Sequence, residues 1–267
     1  MAKLVYLYGI IPKNDSYKEK LSTMKGLDDF HEIHTIPFQE TEAVICHLDE
    51  VQYGEKELEK KTNDVKWVHE KAFHHHEILM KLYEEFPIIP MKFCTIYSGE
   101  ESLAKKLDAH QENMIELLEF IKDKEEWIMK IYCDPSKVRE NVSEQNTTID
   151  QKRKEIGEMS PGRQYLEKRK LDQLIDQEAD REKDSFASNI HEALASISLQ
   201  NEVKKNWNKD VTGRTEEMCW NSVYMLKNTA VDDFLNHVKE LQDKWEPSGW
   251  QIEVTGPWPS YHYAKIG

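Results

Sequence analysis

The hydrophobic patterns along these 267 residues predict an α+β fold in two domains, each an antiparallel sheet with helices. Runs rich in β-branched and aromatic residues alternate with stretches whose apolar residues recur every three or four positions. The resulting order, β, α, β, β, α, β, is the ferredoxin-like plan, in which two helices cover one face of the sheet. That order starts again near residue 123, with a much longer first helical stretch. Length agrees, because 267 residues divide into two units of ordinary domain size. The expected division is 1–122, with a bridging helix at its end, and 123–267, with a long helical segment at 135–200.

The first domain opens with a strand at 3–10, then a short helical piece at 17–24. Runs at 30–38 and 41–48 are separated only by Gln39 and Glu40, which is the spacing of a hairpin. Beyond Gly54, the residues Val65, Val68, Ala72, Leu79, Leu82 and Phe86 form one apolar stripe on a helix that Pro87 stops. A strand at 89–97 completes the first round. Leu103, Leu107, Met114, Leu118 and Ile121 mark the bridging helix. A strand at 127–133 then precedes the helical segment, which breaks or kinks near 157–162. Strands at 203–211 and 219–226, a helix at 231–245 and a strand at 250–254 complete the second round. No residue-level repeat accompanies this recurrence of architecture.

Composition narrows the functional classes. With 36 basic against 50 acidic residues the formal charge is −14, which repels phosphate backbones and anionic lipid surfaces. Nucleic acid and lipid membrane are therefore not expected partners. The segment 135–200 holds 11 basic and 13 acidic residues, so it is the least acidic part of the chain. Its mixed signs read first as a solvated helical face and second as a docking surface. Cys46, Cys94, Cys133 and Cys219 lie far apart with no CxxC pair, a usage that fits buried thiols in a reducing cytoplasm. No run approaches eighteen uninterrupted apolar residues, and the N-terminal run lacks a cleavage site, so it reads as a strand.

Catalytic and metal chemistry find little support. His69, His74, His75 and His76 are clustered, but HEKAFH has one residue too many for the HExxH spacing of a zincin. On a helix His69 and His76 would be two turns apart, about 10.5 Å along the axis, too far for one ion. His75 falls on the apolar stripe and reads as a core or boundary histidine, with a pH-dependent contact as its second reading. No glycine-rich phosphate loop and no GxSxG elbow occurs, and Cys94 lies within the predicted strand at 89–97. A non-enzymatic protein with no cofactor and no metal is the expectation.

The chain ends unusually, with Pro257 and Pro259 on either side of Trp258. Two prolines so spaced cannot sit within a central strand or a helix, so the segment reads as an end-of-strand clasp with Trp258 and Tyr261 pressed onto a core. Four earlier stretches precede it in order: YLYGII at 6–11, IPMKFCTIYS at 89–98, EEWIMKIY at 125–132 and PGRQYLEKR at 161–169. In the last of these Pro161 and Gly162 start a helix, and Tyr165 and Leu166 are expected on its packed side. Arg163 in that first turn opposes the helix dipole and is expected to have a carboxylate or carbonyl partner.

Together the five stretches resemble the gas vesicle GvpL/GvpF family, over nearly the whole chain. Lys92 and Cys94 depart from the arginine and glycine expected at those positions, and His262 makes the ending more basic than usual. The family-motif positions are Tyr6, Tyr8, Gly9, Pro90, Met91, Phe93, Trp127, Pro161, Gly162, Arg163, Gly256, Pro257, Trp258, Pro259 and Tyr261, in structural or partner-binding roles. The resemblance implies a cytoplasmic accessory or minor structural protein of gas vesicle assembly. Its implied partners are the major shell protein and other accessory proteins, met by a cleft between the domains or by the segment 135–200. The alternative is a small-ligand-binding regulatory protein that uses the interface of two ferredoxin-like domains.

Overall fold

A computed structural model describes residues 3–13, 21 and 23–266. The predicted helical piece at 17–24 lies largely outside the described residues. The chain divides into two compact units, one of residues 1–126 with 257–267 and one of residues 127–256. This differs from the expected division, because the last eleven residues belong to the first unit and not to the second.

The first unit is built on β1 (Lys3–Pro12), β2 (His34–Phe38), β3 (Thr41–Asp49), β4 (Ile89–Pro90) and β5 (Ile96–Tyr97). The sheet order is β2-β3-β1-β4, with β5 also pairing β1, and every pair is antiparallel. Its central strand β1 is buried from Val5 to Ile11, which accounts for the nearly continuous apolar run. The predicted hairpin forms, with Phe38 facing Thr41 across Gln39, whose φ is 51°. Strand β2 starts at His34, later than expected, because the Asp28 carboxylate accepts the N–H groups of Phe30 and His31 and folds 28–31 into a turn.

Short helices α1 (Glu50–Tyr53) and α2 (Glu55–Thr62) lead to α3 (Val65–Tyr83). Asp64 caps α3, its carboxylate accepting the N–H groups of Lys66 and Trp67, and the helix buries His75, Ile78, Leu79 and Leu82 against the sheet core. The strand expected at 89–97 is interrupted: only β4 and β5 pair, and Cys94 between them has a φ of 64°, in the left-handed region. The bridging helix is two helices, α4 (Glu100–Asp108) and α5 (Gln111–Ile121), separated at Ala109 and His110.

Strand β6 (Lys124–Cys133) leads into the second unit, where the sheet order is β7-β8-β6-β9. The long helical segment is three helices: α6 (Pro135–Gln145), α7 (Thr147–Gly157) and α8 (Pro161–Ala195). Asp134 and Asn146 cap α6 and α7, and Pro161 starts α8, so each break carries a local start signal. The strand expected at 203–211 is displaced: β7 is Gln200–Val203, and the short helix α9 (Lys209–Thr212) follows. Strand β8 (Glu217–Lys227), helix α10 (Val231–Trp245) and strand β9 (Trp250–Trp258) complete the unit. Its core stacks Phe186 of α8 on Trp250 of β9, with ring centroids 3.7 Å apart. No helix among the described residues is long and apolar enough to cross a membrane.

Candidate functional site

The first unit gathers most of the motif positions around one turn of α3. His75 is buried and bonded at both ring nitrogens: Nδ1 lies 2.7 Å from the Tyr6 hydroxyl and Nε2 lies 3.1 Å from the Met91 carbonyl oxygen. A carbonyl only accepts, so Nε2 carries the proton and Nδ1 accepts from Tyr6 O–H. The Tyr6 oxygen in turn accepts the Cys94 N–H at 3.3 Å. This chain is satisfied with the imidazole neutral, and burial lowers the His75 pKa from 6.5 to about 4. Tyr8 stacks on His75 with centroids 5.5 Å apart, and its hydroxyl lies 3.4 Å from His74 Nε2. Burial also pushes Tyr6 and Tyr8 above the usual phenol range.

Gly9 is required by a close approach. A Cβ there would lie 2.8 Å from Ile88 Cδ1 and 2.9 Å from the Ile89 carbonyl oxygen, just where the β1–β3 register skips between Leu7 and Gly9. Pro90 faces Gly9 in the ladder, the Met91 N–H donates to the Tyr8 carbonyl at 2.9 Å, and Phe93 packs on His75 and Trp67.

The C-terminal segment completes this cluster. Trp258 lies 5.3 Å from the His76 ring, and the Tyr261 hydroxyl is 3.0 Å from His76 Nδ1. Pro259 and Ser260 are buried, and His262 binds the fully buried Glu126 carboxylate through its backbone N–H at 2.9 Å and its ring Nδ1 at 2.6 Å. The histidines of α3 therefore have separate partners, while His69 is exposed. Sequence reasoning missed the Glu126–His262 pair, for which two residues 136 positions apart give no local signal.

Trp127 and the PGRQYLEKR positions are elsewhere, in the second unit. Trp127 is a core residue there. Pro161, Gly162 and Arg163 are exposed at the start of α8, and a Cβ on Gly162 would meet nothing within 4 Å. Contrary to the packed side expected, Tyr165 and Leu166 are 68% and 59% exposed. Arg163 forms no ion pair or hydrogen bond among the described residues; its charge acts without direct contact on the Glu167 carboxylate one turn along α8. None of the first ten residues of α8 is buried, although Gln164 donates to the Gly157 and Met159 carbonyls at the turn from α7; burial begins at Leu171, which with Ile175 and Ala179 joins the core of the unit.

Beside this exposed end, α7 and α8 enclose a groove of about 310 Å³. Ile156, Met159, Leu171 and Leu174 supply its apolar lining, and Lys152, Glu155, Glu167 and Lys170 its charged part. Leu166 lies one turn before the lining residue Lys170 on the same helix face. Lys170 donates to Glu167 at 2.7 Å, and this hydrogen bond holds the Glu167 carboxyl below its usual range. Arg139 of α6 bonds Asp176 at 2.7 Å and Asp172 at 3.4 Å, bracing α8 from the other side.

Comparison with known proteins gives one consistent answer. The family model described as gas vesicle synthesis protein GvpL/GvpF matches residues 4–265. Gas vesicle protein L1 of Halobacterium salinarum is 21% identical over 262 residues, covering 97% of this chain and 89% of that protein. Gas vesicle protein L of a Streptomyces species is 21% identical over 215 residues, 80% of this chain and 76% of its own length. The crystal structure of gas vesicle protein GvpF from Anabaena superposes with a TM-score of 0.76 at 16% identity, covering all of both chains. GvpF from Microcystis aeruginosa superposes with a TM-score of 0.67 at 16% identity, over 98% of this chain and 99% of that one. These structures share the mixed α+β fold with its two antiparallel sheets. By the span of the family match, the chain belongs to the gas vesicle GvpL/GvpF family.

Proposed function

We propose that this protein is an accessory factor of gas vesicle assembly that binds the major shell protein, and other accessory proteins, through the α7–α8 groove and the exposed first turns of α8. The observation that supports this reading is the pair Tyr165 and Leu166, two large side chains left mostly in solvent on a helix end that also carries Arg163, Lys168, Arg169 and Lys170. Aromatic and arginine side chains together are the usual material of binding hot spots. A groove between two helices with an apolar floor and charged side chains suits an amphipathic helix of a partner.

Charge supports the same role. The helical segment is close to neutral while the chain as a whole carries −14, so the groove can meet an apolar subunit while the rest of the surface keeps the complex dispersed. In this reading the protein acts in the cytoplasm, as a non-enzymatic carrier of shell subunits before they join the growing wall. The test is co-expression with the major shell protein followed by size exclusion, with an acidic protein of similar size as control. A Tyr165→Ala/Leu166→Ala variant should lose the complex while melting like the parent. Undiminished binding by that variant would rule out this surface.

A further inference from the structure

The second unit also contains a pair of thiols that the groove does not use. Cys133 closes β6 and Cys219 lies in β8, neighbouring strands of one sheet, and their sulfurs are 2.9 Å apart across 86 positions of sequence. Cys133 is fully buried and Cys219 is 8% exposed. Neither needs the other to be buried, since a lone cysteine packs as a small apolar residue. Neighbouring strands of a sheet lie about 4.7–4.9 Å apart and a disulfide spans Cα separations of about 4.4–6.8 Å, so with the two sulfurs already at 2.9 Å the bond needs only a small further approach.

We propose that Cys133 and Cys219 are a dithiol that a peroxide oxidises to an internal disulfide joining β6 to β8. The first thiolate attacks one peroxide oxygen; the O–O bond breaks, and the departing oxygen takes a proton and leaves as water, giving a sulfenic acid. The second sulfur attacks that sulfenic sulfur, the S–S bond forms, the S–O bond breaks and a second water leaves. The two sulfurs give up two electrons, which reduce hydrogen peroxide to two waters, and the two thiol protons end in those waters. With the sulfurs 2.9 Å apart, a thiolate on Cys133 keeps the Cys219 thiol as its hydrogen-bond donor. The hydrogen bond from Cys219 lowers the Cys133 pKa against the opposing effects of burial and of the Glu217 and Asp134 carboxylates, and Lys183 adds a smaller effect in the same direction as that bond.

Lys183 is itself ion-paired with Asp180 at 2.8 Å and with both oxygens of Glu217 at 3.2 Å, so the dithiol is set apart by the closeness of its two sulfurs and not by a free positive charge. The other cysteines are differently placed. Cys46 is buried with its sulfur 4.0 Å from the Tyr8 hydroxyl, and burial pushes Cys94 up to about 11. The inference is independent of the groove and its partner.

The experiment is oxidation of the native full-length protein with hydrogen peroxide, then alkylation in denaturant, intact mass and peptide mapping. Two of the four thiols should be lost, with a mass lower by two hydrogens and one cross-linked pair of peptides holding Cys133 and Cys219. Dithiothreitol should restore both, and the oxidised monomer should melt at a higher temperature than the reduced one. Cys133→Ser and Cys219→Ser should each abolish the cross-link, whereas Cys94→Ser should leave it intact. Full alkylation of all thiols after peroxide, a stable sulfinic acid on either residue, or a disulfide through Cys94 would overturn the proposal. The wild-type map decides this even where a serine variant fails to fold.

Discussion

Replacing His75 with phenylalanine should change how the stability of the first unit responds to acid, as well as its size. The buried imidazole resists protonation down to about pH 4, whereas in the unfolded chain it takes a proton near 6.5. The unfolded state therefore binds more protons between these values, and the folded state loses stability as pH falls through that window. The gap corresponds to about 3 kcal/mol once pH reaches 4, with about 2 kcal/mol already lost at pH 5. Phenylalanine removes this titration but orphans the Met91 carbonyl and leaves Tyr6 O–H without its acceptor, each at about 1–3 kcal/mol. The variant should be clearly weaker than the parent at pH 7.5, and the difference should shrink by about 2 kcal/mol at pH 5. Urea unfolding at several pH values measures this directly, because His74, His76 and the carboxylates titrate in both proteins and cancel in the difference. Parallel stability curves for the two proteins would show that His75 is not held neutral by its burial.

Three further outcomes follow from the backbone and the C-terminal segment. Cys94→Gly should raise stability by about 0.5–1 kcal/mol, since it relieves a left-handed φ of 64° that costs about 1–2 kcal/mol while adding some unfolded-state entropy; a loss in urea unfolding would mean that thiol packing outweighs the strain. Gly9→Ala should cost about 2–3 kcal/mol, because its Cβ would meet the backbone oxygen of Ile89 at 2.9 Å as well as a side chain, and a melting temperature like the parent's would contradict that crowding. His262→Ala should cost about 1–3 kcal/mol by removing one of two donors to the buried Glu126, with thermal melts as the readout and an unchanged midpoint as the refuting result.

Patterns confined to one element were legible in the sequence. The stripe marked α3 and put His75 on its buried face with Leu79 and Leu82, although Val65 is 82% exposed and the helix ends at Tyr83, before Phe86; Gln39 and Glu40 marked the β2–β3 turn. The start signals of Pro135 and Pro161 lay within the predicted helical segment. The prolines around Trp258 also indicated a clasp, and Tyr261 does pack on a core. Strand β7 was misplaced because its four residues are all exposed and carry no apolar period, while Val203, Trp207 and Val211 imitate one although each is solvent-facing. The run at 89–97 looked like one strand because an apolar composition does not report the φ of Cys94.

Periodicity and start signals act within a few residues, so one chain suffices to predict which faces are buried and where helices begin. Which buried face meets which is decided by contacts between distant positions, and these leave no mark on local composition. That is why folding alone places Tyr261 on His76 across 185 positions, His262 on Glu126 across 136 and Cys133 on Cys219 across 86. The exposure of Tyr165 and Leu166 has the same origin: which face of the first turns of α8 is covered depends on how distant helices pack on it, and these two side chains lie on the uncovered face.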